Sequence, residues 1–163
     1  MKKLFIILVM FSLVSSVYAK ILKRSLIEIG PKANIYIDED VQFGIGVESV
    51  FNPLKSFGVR FNLIEVSFDR TTFSFNREGS LDALIYIPIR GMQSYIYSGF
   101  DLKMHETGAG SKTDFSIRAG LGLSYQLNNI TNLFIEPGII IKGNGATNAI
   151  FRLSLGGRFG IIR

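Results

Sequence analysis

His105, Glu106 and Ser111 are the residue types from which this chain could assemble acid–base or nucleophilic chemistry. Such chemistry needs a base within hydrogen-bond reach of the nucleophile and a third group to orient that base. Here base, acid and hydroxyl fall in one short polar stretch whose spacing matches no nucleophile–base arrangement, and a lone histidine beside a glutamate is ordinarily a solvated side chain. Metal binding has one histidine and no cysteine to draw on, whereas zinc sites are built from sets of such ligands. Gly108-Ala109-Gly110-Ser111-Lys112 has the composition of a phosphate-binding loop, but the helix that such a loop must open does not follow. Without cysteine there is also no disulfide framework and no thiol nucleophile. The sequence therefore indicates no catalytic residue, no metal site and no cofactor.

A second set of residues is placed by periodicity. Glu28, Lys32, Glu48, Arg60, Asp82, Asp101, Arg118, Glu136, Arg152 and Arg158 all fall on the polar side of segments whose alternate positions are apolar. Period-two alternation makes a strand with one oily and one polar face. Eight such segments follow one another: Leu26–Ile37, Val41–Phe51, Ser56–Val66, Thr72–Ile87, Ser94–Met104, Thr113–Tyr125, Asn132–Lys142 and Ala149–Ile161. Between them, Asp38–Asp40, Asn52–Lys55, Pro88–Gln93, Glu106–Lys112, Leu127–Thr131 and Gly143–Thr147 carry turn residues. No window of helical spacing outbids this pattern.

The last segment decides what covers the oily face. From Ala149 to Ile161 its odd positions are apolar or glycine and carry no charge, over about twice the length of an ordinary strand. A soluble sheet rarely has a partner for so long a face, but a bilayer does. The polar face is glycine-rich (Gly44, Gly46, Gly58, Gly120, Gly122, Gly138, Gly156, Gly160) and carries both charge signs in near balance. These traits suit a crowded interior better than a soluble exterior. The expected fold is an all-β, eight-stranded antiparallel up-and-down transmembrane β-barrel. In so narrow a barrel the inward charges must pair, because an unpaired buried charge costs several kcal/mol. Hairpin register places Glu48 near Arg60, and closure of the first strand on the last places Glu28 near Arg158. Lys103 and Lys142 are expected at the barrel mouths.

The first residues set the compartment. Lys2 and Lys3 precede the apolar run Leu4–Val14 and the small-residue stretch ending at Ala19, the pattern of a cleaved secretory signal peptide. Met1–Ala19 is read as that signal and Lys20–Arg163 as the barrel domain. Removing Lys2 and Lys3 leaves 16 basic residues facing 13 acidic ones, a formal charge of +3 in place of +5. That balance gives no argument for a nucleic-acid partner. Apart from the signal, Ile139-Ile140-Ile141 is the apolar run of note, and Lys142 ends it far short of a spanning helix.

The end of the chain carries the most specific motif. Ser154, Gly156, Phe159 and Ile161 stand in the order polar, glycine, aromatic, aliphatic. In this the sequence resembles the transmembrane domains of small bacterial outer-membrane barrels of the outer membrane protein A and X type. Those proteins end in such an assembly signal, although here Ile161-Ile162-Arg163 replaces the usual terminal phenylalanine. The resemblance implies outer-membrane lipid as surroundings, the barrel-insertion machinery and periplasmic chaperones as assembly partners, and a monomer. It implies a structural, membrane-integrity or interaction role with a plugged lumen. The alternatives are a narrow solute or ion channel, a lipid A-modifying enzyme using His105, Glu106 and Ser111 at the outer rim, and a secreted lipocalin-like barrel.

Four places break the alternation. Pro31 and Pro137 lie inside strands, where each removes a ladder donor, and their neighbours Gly30 and Gly138 point to bulges. Apolar parity slips after Leu63 to Ile64, Val66 and Phe68, again pointing to a bulge or an exit from lipid. Arg77 falls on the oily side of its segment, so that end is expected to rise above the membrane.

Overall fold

The computed structural model describes residues 24–68, 73–74, 77–89, 92–107, 110–143 and 149–162; the expected signal peptide lies outside them. The described residues form strands β1 (Ile27–Ile37), β2 (Val41–Leu54), β3 (Phe57–Phe68), β4 (Phe73–Ser74), β5 (Arg77–Ile89), β6 (Met92–Thr107), β7 (Gly110–Gln126), β8 (Thr131–Lys142) and β9 (Ala149–Ile162). All pairings are antiparallel. The ring runs β2-β1-β9-β8-β7-β6-β5-β3 and closes where β3 pairs with β2. Eight strands thus make the wall, and β4 is a two-residue ribbon folded back on β3. Closure removes every sheet edge, which is what lets a sheet span hydrocarbon.

The wall is inverted relative to a soluble barrel. Alternate residues such as Phe43, Ile45, Ile85, Ile96, Ile117, Leu121 and Phe159 are exposed on the outside, while Glu28, Glu48, Arg60, Asp82 and Glu136 are almost completely buried within. The oily face therefore points outward and the polar face lines the lumen.

Glycine on the polar face makes room for rings. Gly122 lies opposite Tyr95 in the β6–β7 register, and an added Cβ would fall 2.1 Å from that ring. Gly120 and Gly138 do the same for Tyr97, where a Cβ would meet the ring or its hydroxyl at 2.6 Å or less. The rings lie over bare backbone and help fill a lumen just wide enough for the barrel's own side chains. Leu84, Tyr86, Tyr95 and Tyr97 form the one apolar cluster of buried residues among those described.

The irregularities follow the expectation at Leu63 but not at the two prolines. Pairing between β1 and β9 lapses at Gly30 and Pro31 and resumes at Lys32↔Gly156 in the register of Glu28↔Gly160. Across Pro137, β7 and β8 likewise keep one register from Gly120↔Gly138 to Leu123↔Ile135. Neither proline makes a bulge there, because a missing donor deletes a hydrogen bond without adding a residue. The parity slip in β3 is a true bulge: Val47 faces Ile64 and Glu48 faces Asn62, so Leu63 is the extra residue.

Four boundaries also move, one being the turn expected over Pro88–Gln93, where Pro88↔Gln93 and Ile89↔Met92 are in register. The expected segment Thr72–Ile87 divides, since β3–β5 pairing ends at Asn62↔Ser80 and β4 pairs with β3 at Ser67↔Ser74. The turn expected over Asn52–Lys55 shifts to Lys55-Ser56, with Leu54 facing Phe57. The loop expected over Glu106–Lys112 is mostly ladder, with His105↔Lys112, Glu106↔Ser111 and Thr107↔Gly110 in register.

The ring–glycine fit has a direct test. Gly122→Val should cost about 1–3 kcal/mol through overpacking against Tyr95, read as a lower urea midpoint for the heat-shifted gel band. An unchanged midpoint would mean that the ring does not rest on the glycine.

Candidate functional site

The site is the lumen itself, where side chains from strands far apart in sequence meet. Glu136 on β8 is its hub. Arg60 on β3 donates to its two oxygens at 2.6 and 2.5 Å, Arg158 on β9 donates at 2.7 Å, and the Tyr95 hydroxyl donates as well. Arg60 also grips Asp82 on β5 through Nε at 2.7 Å. Arg118 on β7 holds the same carboxylate with two bonds of 2.5 Å. These groups are all 2% exposed or less, so the charges are balanced by one another and not by solvent.

The network runs on toward the other end of the lumen. Arg118 and Asn62 both donate to Ser80. Lys32 donates to Asn62 at 2.8 Å and pairs with Glu65 at 2.9 Å. Glu65 also accepts from Asn34 at 2.7 Å and from Tyr36. One chain of ion pairs and hydrogen bonds thus runs from Arg158 to Tyr36. Guanidiniums also face rings: Arg158 lies 4.1 Å from the Phe134 centroid and Arg60 lies 4.7 Å from that of Tyr97.

All ten charged residues singled out by alternation are buried, Asp101 included. Glu48 lies 3.7 Å from Arg60, but its close partner is Arg158 at 2.6 Å. Glu28, expected near Arg158, does feel its charge, while its hydrogen bond comes from Asn132 at 3.2 Å. Register explains the exchange. Gly30 lies opposite Glu48 on β2 and level with Arg158 on β9, so a residue without a side chain separates that acid from that base. Arg152 donates to the Tyr97 hydroxyl at 3.0 Å and stands 3.9 Å from Glu136. Lys142 is exposed and lies 4.0 Å from Asp38 at the mouth opposite the termini. The side chains of Lys103, His105, Glu106 and Ser111 lie outside the description.

Sequence reasoning missed Glu65, Tyr36 and Arg24 as lumen residues. Glu65 had a signal, for the bulge at Leu63 returns it to the inward side. Arg24 had none, because it precedes the first strand. Its guanidinium lies 3.0 Å over the Tyr86 ring and donates to Gln93. Burial pulls its pKa down from the ordinary arginine value, while Tyr86 and Glu28 oppose that shift.

Of the motif at the end of the chain, Ser154 is buried in the lumen and Gly156 lies against the Phe134 ring. Phe159 and Ile161 are exposed on the outer wall.

Two measurements check the network. Glu136→Gln should cost about 3–5 kcal/mol, because it leaves one buried positive charge uncompensated among Arg60, Arg152 and Arg158; equilibrium urea unfolding in lipid vesicles reads this. A double-mutant cycle on Glu48→Gln and Arg158→Met should give a coupling of at least about 1 kcal/mol. A coupling of zero would remove that pair.

No protein-family model matches the sequence, and no curated protein matches it. Solved structures do match in fold. Neisserial surface protein A is 11% identical with a TM-score of 0.62, over 83% of this chain and 96% of its own. The N-terminal β-barrel domain of Pseudomonas aeruginosa OprF is 13% identical with a TM-score of 0.58, over 83% of this chain and all of its own. A structure from the de novo design of transmembrane β-barrels is 8% identical with a TM-score of 0.54, over 85% of this chain and 98% of its own. The chain therefore has the fold of the small eight-stranded transmembrane β-barrels of outer membranes.

Proposed function

We propose that the protein is an integral outer-membrane barrel with a structural or interaction role, its lumen sealed by the charge network and closed to ions. The observation that carries this reading is Arg60, which reaches across the lumen from β3 to Glu136 on β8 while holding Asp82 on β5. A continuous water path would have to break bonds between buried charges, each costing several kcal/mol to strand. The apolar outer wall supports lipid as the surrounding medium. Exposed Phe159 and Ile161 support recognition of β9 by the barrel-insertion machinery, with periplasmic chaperones as carriers and a monomer as the product.

Three experiments test the proposal. Cell fractionation should place the protein in the outer membrane, with a gel band that shifts on boiling; recovery in the soluble periplasmic fraction would overturn the membrane assignment. In planar bilayers the purified protein should give no stable unitary conductance, and reproducible openings would overturn the sealed lumen. Altered lipid A in cells carrying the gene, abolished by His105→Ala, would overturn the non-catalytic role.

A further inference from the structure

The short segment ahead of β1 does not leave the barrel; it turns into it. Ser25 is buried, and its carbonyl accepts from the Asn52 side chain at 3.0 Å. Leu26 N–H donates to Ile162 at 2.6 Å, and Asn52 N–H donates to Leu26 at 2.7 Å. The seat is shaped for this course: a Cβ on Gly160 would fall 1.9 Å from the Ser25 hydroxyl.

Arg24 then reaches the far wall. Its guanidinium stacks on Tyr86 of β5 and donates to Gln93 of β6. In the ring order, three strands separate β1 from β6 in either direction, so this reach spans the full diameter of the lumen. Tyr86 is itself fixed, donating to Asn52 at 2.9 Å and meeting Tyr95 edge-on at 5.5 Å. Asn52 thus supports both the strap, through Ser25, and the ring that receives it.

We propose that Arg24 and Ser25 form a strap that closes the lumen mouth at the end carrying the termini, with Arg24 as its latch on Tyr86 and Gln93. The strap screens the lower part of the network, where Glu28, Arg158 and Ser124 lie, from water at that mouth. It deepens the sealed-lumen reading by naming the part that does the sealing at this end. Stacking of a guanidinium on a ring is planar and depends on orientation, so lysine is a poor substitute there.

The absence of cysteine makes the test direct. Ser124 is buried, and its backbone pairs with Gln93, so Ser124→Cys reports on the space behind the strap. Lys55→Cys, on an exposed turn, serves as the open reference. The probe is a small charged methanethiosulfonate, applied to folded, heat-shiftable protein in micelles. With Arg24 in place, Ser124→Cys should react at least tenfold more slowly than Lys55→Cys. Arg24→Ala should raise its rate at least tenfold, Arg24→Lys should raise it in part, and Lys55→Cys should not respond to either. If Arg24→Ala gives no heat-shifted band, Arg24→Gln is read in the same assay. An unchanged rate at Ser124→Cys on loss of Arg24, or a rate equal to the reference with Arg24 present, would overturn the strap. Conductance of the unmodified protein would instead overturn the sealed lumen, so the two failures are distinguishable.

Discussion

Everything in this barrel depends on holding full charges inside a ring whose outside is oil. Each buried ion carries a desolvation cost of several kcal/mol. That cost is tolerable only where the opposite charge and its hydrogen bonds are already positioned. Glu136 meets this condition with Arg60, Arg158 and Tyr95 around it, and Asp82 meets it with Arg60 and Arg118. The four arginines Arg60, Arg118, Arg152 and Arg158 come from β3, β7 and β9. Arg60 meets Asp82 directly across β3 and β5, but Arg60 reaches Glu136 and Arg158 reaches Glu48 only once the wall is closed in register. Charge pairing and barrel closure are one event seen from two sides.

The same register explains why the polar face can be crowded without being strained. Tyr95 and Tyr97 lie flat against wall positions held by glycine, and Glu48 meets Arg158 past Gly30. In each case a residue lacking a side chain lies beside a large one. A small barrel has no other way to seat large groups on neighbouring strands. The glycines are the negative image of the aromatic and charged groups, so a substitution at one is felt at a named partner.

Much of this was legible in the chain. Period-two alternation gives the strands, their faces and the inward charges, because side-chain direction in a strand is set by position alone. Closure and strand number follow from length and turn spacing. What alternation cannot give is which inward charge meets which. That depends on register between strands distant in sequence, and it is why Arg158 makes its close bonds to Glu48 and Glu136 while Glu28 bonds Asn132. The bulge at Leu63 was visible as a slip of parity, but its consequence, Glu65 turning inward to Lys32, appears only with β2 and β3 aligned. Prolines mislead in the opposite sense, since Pro31 and Pro137 interrupt hydrogen bonding while leaving register intact. Arg24 lies outside any period, and its stacking on Tyr86 is tertiary throughout.

The placement of the tyrosines has an optical consequence. The chain has no tryptophan and six tyrosines. Tyr36, Tyr86, Tyr95 and Tyr97 face the lumen, Tyr125 is exposed on the outer wall, and Tyr18 precedes the described residues. The tyrosine signal of this protein therefore responds mainly to the packing of rings beside arginines and carboxylates, not to contact with lipid. In most membrane barrels an emission change on refolding registers arrival in the bilayer. Here it would register the moment the polar interior is squeezed shut.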